Sequence, residues 1–267
     1  DDCGNTGTAV YDVRINCQVV RLKVFLEGPY QSATNTMSTA LNNLGLLPGE
    51  WPTAMFYDTT DPGQPYTIAP WNWGPPYNLG DTWGDGMLTP YPADVVDWIL
   101  VQVREEGILP ANTIWTCAGW LHTDGTVTFP DACPAPAINL ANDYYIVVQH
   151  RNHLGIMSPS FVNIECAAGL FPILNWDFTT SQSYQPIFRV GQKILETMPN
   201  VYGMYGANGE QIVSIAAINS PDRTIWKTFQ GVAGYNPGDY NMNGLTNPVD
   251  ETVWKNNQNR TSGVIFY

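Results

Sequence analysis

The sequence predicts a mainly β chain, an antiparallel β-sandwich followed by a small α-helical cation-binding unit, and three observations carry that expectation. Short β-rich runs recur between turn signals, with no helical crossovers between them. The composition suits many strands joined by turns, with 24 Gly, 21 Pro and 12% aromatic residues against only 13% charged ones. Near the end, "NSPDRTIWKTFQ" (219–230) and "NPVDETVWKNNQ" (247–258) match at an offset of 28, with Asn, Asp, Thr, Trp, Lys and Gln in register.

The elements follow in order. Tyr11, Val13, Ile15, Cys17 and Val19 alternate with polar residues, a strand pattern whose phase then flips to Val20, Leu22, Val24 and Leu26. A bulge near Val19, or two abutting strands with different partners, accounts for the flip. "TMSTALNNLGLLP" (36–48) holds a short helix stopped by Gly45. From Pro48 to Pro92 the chain is too broken by Pro and Gly for regular structure and too aromatic for disorder. Trp51, Phe56, Tyr57, Tyr66, Trp71, Trp73, Tyr77, Trp83 and Tyr91 crowd this loop, which packs on the body or an interface, or presents rings to sugars. "ADVVDWILVQVRE" (93–105) is the next strand, and Asp124-Gly125 joins two β-rich runs as a hairpin. "DYYIVVQHRNHLGIMS" (143–158) and "SFVNIEC" (160–166) add two more. The expected organisation is an N-terminal strand extension (1–19), a sandwich (20–170) carrying the loop 48–92, a connector (171–200) and the repeat unit with its tail (201–267).

The repeat carries the chemistry. In "GDYNMNGLTNPVD", Asp239, Asn241 and Asn243 stand at ligand positions one, three and five, Gly244 supplies the bend, Leu245 offers a carbonyl and Asp250 closes at position twelve. This is the oxygen-ligand spacing of a Ca2+ loop, and the alternative is an Asn-rich turn before a capped helix. Two carboxylates imply weak affinity, about 10⁻⁴ to 10⁻³ M. The earlier copy keeps Asn208 and Glu210, has Gly206 where an opening Asp is expected, and closes late with Asp222, so it is the weaker second site.

These residues carry a resemblance. The C-terminal repeats resemble dockerin-type duplications, in which two loop–helix units pack face to face. More widely, "LKVFLEGPY", "PYTIAPWNW", "ADVVDWILVQVR", "DGTV", "DYYIVVQHRNHL", "WDFTTSQ" and "GDYNMNGLTNPVDETVW" are similar to segments of secreted Bacteroidota surface proteins of the hemagglutinin- or adhesin-like type. The resemblance spans about Leu22 to Asn257 and implies an Ig-like or transthyretin-like sandwich followed by a dockerin-like unit.

Charge and chemistry narrow the function. A net charge of −13 repels nucleic acid and anionic lipid, and no run reaches the roughly 18 apolar residues of a membrane span. The opening "DDCGNTG" lacks signal-peptide character, which reads as a mature chain. Cys3, Cys17, Cys117, Cys133 and Cys166 show no CxxC spacing; Cys3–Cys17 and Cys117–Cys133 would each close a short loop, or the thiols stay reduced. Few Lys and many Trp and Tyr fit an extracellular protein. On one continuous strand His150 and His153 face opposite sides, which favours a structural role, and no nucleophile-elbow, phosphate-loop or zinc-protease motif occurs. Asp81, Asp85, Asp94 and Asp97 would be the acids of a hydrolase, with solvated loop carboxylates the ordinary reading.

The expected function is a non-enzymatic extracellular structural or adhesive subunit, self-assembling by strand addition and rigidified by calcium. The N-terminal strand and the apolar tail "TSGVIFY" (261–267) are both suited to adding to another copy's open edge. The alternatives are a carbohydrate-binding module and a dockerin-like module that recruits a surface scaffold.

Overall fold

The computed structural model describes residues 20–50, 63–74, 90–130, 133–166, 172–211 and 215–266. The expected N-terminal strand, much of the aromatic loop, Cys3, Cys17, Asp81 and Asp85 lie outside the described residues. The chain is mainly β, with several sheets and few helices.

Strand β1 (Val20–Lys23) buries Val20 and Leu22 and turns Arg21 outward. A small hairpin, β2 (Tyr30–Gln31) and β3 (Thr36–Met37), leads to the one-turn helix α1 (Ala40–Asn43). Gly45, at φ 62°, stops that helix as expected. Two long antiparallel strands, β4 (Val95–Glu105) and β5 (Thr113–His122), are followed by β6 (Val127–Thr128) across the Asp124-Gly125 turn. Gly125 sits at φ 85°, and Asp124 accepts a hydrogen bond from the Thr126 amide, the local chemistry that makes this dipeptide turn. Cys117 in β5 is disulfide-bonded to Cys133.

The stretch 143–158, expected as one strand, is a hairpin. β7 (Tyr144–His150) turns at Arg151 and Asn152 into β8 (His153–Met157), and His150 pairs with His153 across the turn. The expected separation of the two histidines onto opposite faces therefore fails, because strand parity does not survive a two-residue turn. β9 (Asn163–Cys166) and β10 (Pro172–Asp177) follow, with β10 parallel to β1. A hairpin, β11 (Gln192–Thr197) and β12 (Asn200–Met204), precedes the repeat unit, so the expected connector 171–200 contains strands.

The main sheet has the order β6-β5-β4-β7-β8, and a second has the order β1-β10-β9. Residues of both, including Leu22, Leu174, Ile99 and Val101, share one core. β7 explains why its run is apolar throughout rather than alternating. Tyr144, Ile146 and Val148 face that core, while Val147 faces a second one with Trp226, Tyr240, Val264 and Phe266 of the C-terminal region. The C-terminal unit thus covers the outer face of the main sheet at β7 and β8.

That unit contains β13 (Ile215–Ala217), helices α2 (Ser220–Phe229) and α3 (Pro248–Asn257), and β14 (Thr261–Ile265). Both helices open with the same capping box, Asn219 with Asp222 and Asn247 with Asp250, and both place Pro at the first turn. The tail expected to add to another copy is used within the chain. β14 pairs with β13, Ser262 Oγ donates to Gly155 O at 2.7 Å, and Arg104 Nη2 donates to Ile265 O at 2.8 Å. Phe266 lies over Gly155, where an added Cβ would come within 2.2 Å of its ring. Tail capture in this form makes Phe266→Ala destabilising by about 3 kcal/mol; equilibrium denaturation checks it, and an unchanged midpoint would contradict the intramolecular tail.

Candidate metal centre

The closing loop folds on its own side-chain oxygens. Asp239 Oδ1 accepts from the Asn243 amide at 3.1 Å and Oδ2 from the Gly244 amide at 2.8 Å. Asn241 Oδ1 accepts from Asn243 N–H, and Asn243 Oδ1 from Leu245 N–H. Asp250 reaches back, Oδ1 to the Asn241 amide at 2.9 Å and Oδ2 to the Asn247 amide at 2.8 Å. Gly244, at φ 86°, makes the bend that lets the chain reverse.

The donor set fits a hard divalent cation. Asp239 and Asp250 are both fully buried, and neither has an ion-pair partner within 4 Å among the described residues. Burial pushes the Asp250 carboxyl up to about 6, and the charge of Asp239 adds to that rise. Burial also raises Asp239, against the pull of the Arg151 guanidinium. Two buried carboxylates that repel each other, with Asn241, Asn243 and the Leu245 carbonyl on the same turn, offer the oxygens calcium takes. Among the described residues no group of three or more His, Cys, Asp or Glu forms a metal site, so any cation here relies on amide and carbonyl oxygens as well as the two acids.

The first copy has a shifted register. Asp222 accepts from Glu210 N–H at 3.0 Å and from Asn219 N–H at 2.7 Å, as Asp250 does from Asn241 and Asn247. Glu210 is therefore the counterpart of Asn241, and Asn208, rather than Gly206, is the counterpart of Asp239. An amide replaces the opening carboxylate, and the Asn208 side chain turns its Nδ2 toward His153 O at 3.5 Å. Burial lifts Asp222 to about 6, with Glu210 adding to the rise.

The two copies meet about an approximate two-fold axis. Trp226 Nε1 donates to Asn247 O at 2.8 Å and Trp254 Nε1 to Asn219 O at 2.7 Å, each tryptophan closing on the other helix's cap. Arg223 and Glu251, equivalent positions in the repeat, pair with each other at 2.7 Å.

Beneath the loops lies a buried polar clasp that motif reading left unassigned. Asp97 Oδ1 accepts from Trp98 N–H and Tyr235 O–H, both at 2.7 Å; Oδ2 accepts from Arg151 Nε at 3.0 Å and His150 Nε2 at 3.2 Å. The hydrogen bonds set the tautomers. Gly28 N–H donates to His153 Nε2, so the His153 proton sits on Nδ1, facing Asn152 Oδ1 at 2.8 Å and His150 Nδ1 at 3.0 Å. His150 then accepts at Nδ1 and donates from Nε2 to Asp97. Burial acts to raise the Asp97 carboxyl, but Arg151, His150 and Tyr235 together hold it below its ordinary value. Burial lowers both imidazoles, His153 well below normal because His150 and Arg151 stand beside it.

The clasp grips the loops by their backbone. Asn152 Nδ2 donates to Asp239 O at 2.7 Å, Arg151 Nη1 to Asn236 O at 2.8 Å, and Asn208 N–H to Asn152 O at 3.0 Å. Glu27 adds a second grip, accepting from Gly206 N–H and Asn257 Nδ2 and pairing with Lys193. Gly28 makes room for it, since a Cβ there would fall 2.0 Å from Tyr240 O. Of the four candidate hydrolase acids, Asp97 is sealed with all its acceptor positions used, and Asp94 pairs with His122 at 58% side-chain exposure.

No family model and no curated protein matches the chain. Among solved structures it is similar to an N-terminal interface mutant of a type II cohesin–X–dockerin complex from Acetivibrio cellulolyticus. The match has 15% identity and a TM-score of 0.32, covering 61% of this chain and 82% of that one. At that TM-score the likeness carries no argument.

The clasp gives a pH dependence of definite sign. His150 and His153 bind protons less readily folded than unfolded, so their contribution to stability is present above the unfolded value of about 6.5 and is lost as pH falls through it. Imidazole ¹⁵N shifts of both residues should titrate with midpoints below that of a free histidine. A midpoint at or above 6.5 for either would contradict the buried tautomer chain.

Proposed function

We propose that this chain is a non-enzymatic extracellular structural or adhesive module, built as a sandwich body with a dockerin-like unit that calcium rigidifies. The observation that carries this reading is the junction between the Asp239–Asp250 loop and the body. A loop that only recruited a separate partner has no need of a buried tether. Here the carbonyl of Asp239, a proposed calcium ligand, is held by Asn152 in the turn of the main sheet. Ordering the loop with a cation therefore also orders the surface against which β7 and β8 pack. The disulfide Cys117–Cys133 fits an oxidising compartment. Within the described residues no helix is long and apolar enough to cross a membrane.

Assembly is the second part of the proposal, with other copies of the chain as partners. β14 is engaged internally, which leaves the alternating segment 11–19 as the strand to donate. β9 is the outer strand of its three-stranded sheet and pairs only with β10 among the described strands, which makes it a candidate acceptor. Head-to-tail addition does not close and so propagates into a fibre.

Two measurements test these statements. At a site of about 10⁻⁴ to 10⁻³ M affinity, 10 mM calcium adds about 1.5–3 kcal/mol, a rise in Tm of roughly 3–10 °C. Calorimetry should show that rise, and Asp239→Ala or Asp250→Ala should remove it; an equal rise in both variants would sink the metal reading. Electron microscopy of the full chain in calcium should show fibres that are missing once residues 1–18 are deleted, whereas fibres in the deletion would exclude that strand as the donor.

A further inference from the structure

Outside the metal centre, an open trough of about 760 Å³ lies beside β10 and β12, where Trp176 and Tyr202 line it with Tyr184 from the loop after β10. Gln182, Gln185, Ser181 and Ser183 complete its polar side, and no charged side chain lines it among the described residues. The rings of Trp176, Tyr184 and Tyr202 are half-buried, while both glutamines are exposed.

The trough is held open by bonds beneath it. Tyr202 N–H donates to Thr179 O at 2.9 Å and Tyr184 N–H to Met157 O at 2.7 Å. Ser183 N–H donates to Gln192 Oε1 at 2.7 Å, and Gln192, itself buried, donates to Phe178 O. Asp177 Oδ1 caps the turn through the amide and hydroxyl of Thr179. The lining is fixed by these bonds and by the packing of Trp176 and Tyr184 against the two cores, so its shape exists before any ligand arrives.

Two polar groups at this place are unsatisfied. Ser183 is only 2% exposed, yet its hydroxyl has no hydrogen-bond partner, and the same holds for the indole nitrogen of Trp176. Buried donors of this kind are normally paired. Ser183 lines the trough, and a serine hydroxyl can both donate and accept.

From this geometry we propose that the trough binds a neutral saccharide. Aromatic faces suit the apolar faces of sugar rings, while amides and hydroxyls that both donate and accept suit vicinal sugar hydroxyls. The absence of basic side chains, on a chain of net charge −13, disfavours anionic ligands. A purely apolar ligand would leave the amide and hydroxyl edge unpaired. The site shares no residue with the calcium loop, so this inference goes beyond the architecture proposed above and fails independently of it.

The test uses the full chain in millimolar calcium on an array of neutral and acidic glycans, with titration against any neutral polysaccharide retained, and a proline-rich peptide as a competing probe. The expected result is retention of at least one neutral saccharide. Tyr202→Ala and the surface double variant Gln182→Ala/Gln185→Ala should each weaken it tenfold or more, the double variant with an unchanged Tm. No neutral saccharide bound at millimolar concentration, binding unmoved by the double variant, or retention of acidic glycans or the proline-rich peptide alone would overturn the proposal.

Discussion

Asp97 is a charge with no access to water, placed near the start of β4 where a hydrophobic residue would ordinarily stand. Its burial is tolerable because four donors converge on its two oxygens: a backbone amide, a tyrosine hydroxyl, a guanidinium and an imidazole. Two of these donors come from the β7–β8 turn and one, Tyr235, from the C-terminal unit. The carboxylate therefore requires both to be in place. Removing any one donor leaves an uncompensated buried group, which is far more destabilising than the net worth of the contact. That asymmetry makes the junction between body and C-terminal unit all-or-none.

The rest of the C-terminal architecture follows from this anchor. The Arg151–Asn152 turn satisfies loop carbonyls and amides that would otherwise be stranded under the helices, at Asn236, Asp239 and Asn208. Gly28 lets the turn between β1 and β2 pass beneath Tyr240 closely enough for its amide to reach His153. The two loop–helix copies then need only their own reciprocal tryptophan contacts to complete the unit. In the reading proposed here, calcium offsets the repulsion between Asp239 and Asp250 that this compact burial creates. The first copy substitutes Asn208 for the opening acid, and there the charge of Glu210 adds to the rise of the Asp222 carboxyl instead.

Local chemistry was readable in the sequence wherever one short segment decided it. The helix stop at Gly45 and the Asp124-Gly125 turn are both short-range signals. The misreadings came from long-range contacts. "DYYIVVQHRNHLGIMS" is apolar on both faces because two different layers cover it, and that continuity hid the turn inside it. The tail looked available because its partner, 215–217, is a short segment with no strand pattern of its own. Gly206 stood in for the loop opening because the first copy is longer, with fifteen residues from Asn208 to Asp222 against twelve from Asp239 to Asp250. The clasp left one sequence trace, the cluster His150, Arg151, Asn152 and His153 inside an apolar run, where polar residues imply partners of equal polarity.

Native-state hydrogen exchange of the calcium-loaded chain tests the clasp most directly, because it reports the opening free energy of each element separately. If Asp97 welds the layers together, the slowest amides of α2 and α3 open with the same free energy as those of β4 and β7, as one cooperative unit. Helix amides that exchange through an opening several kcal/mol below that of the sheet would show two independent parts, and the weld would not exist.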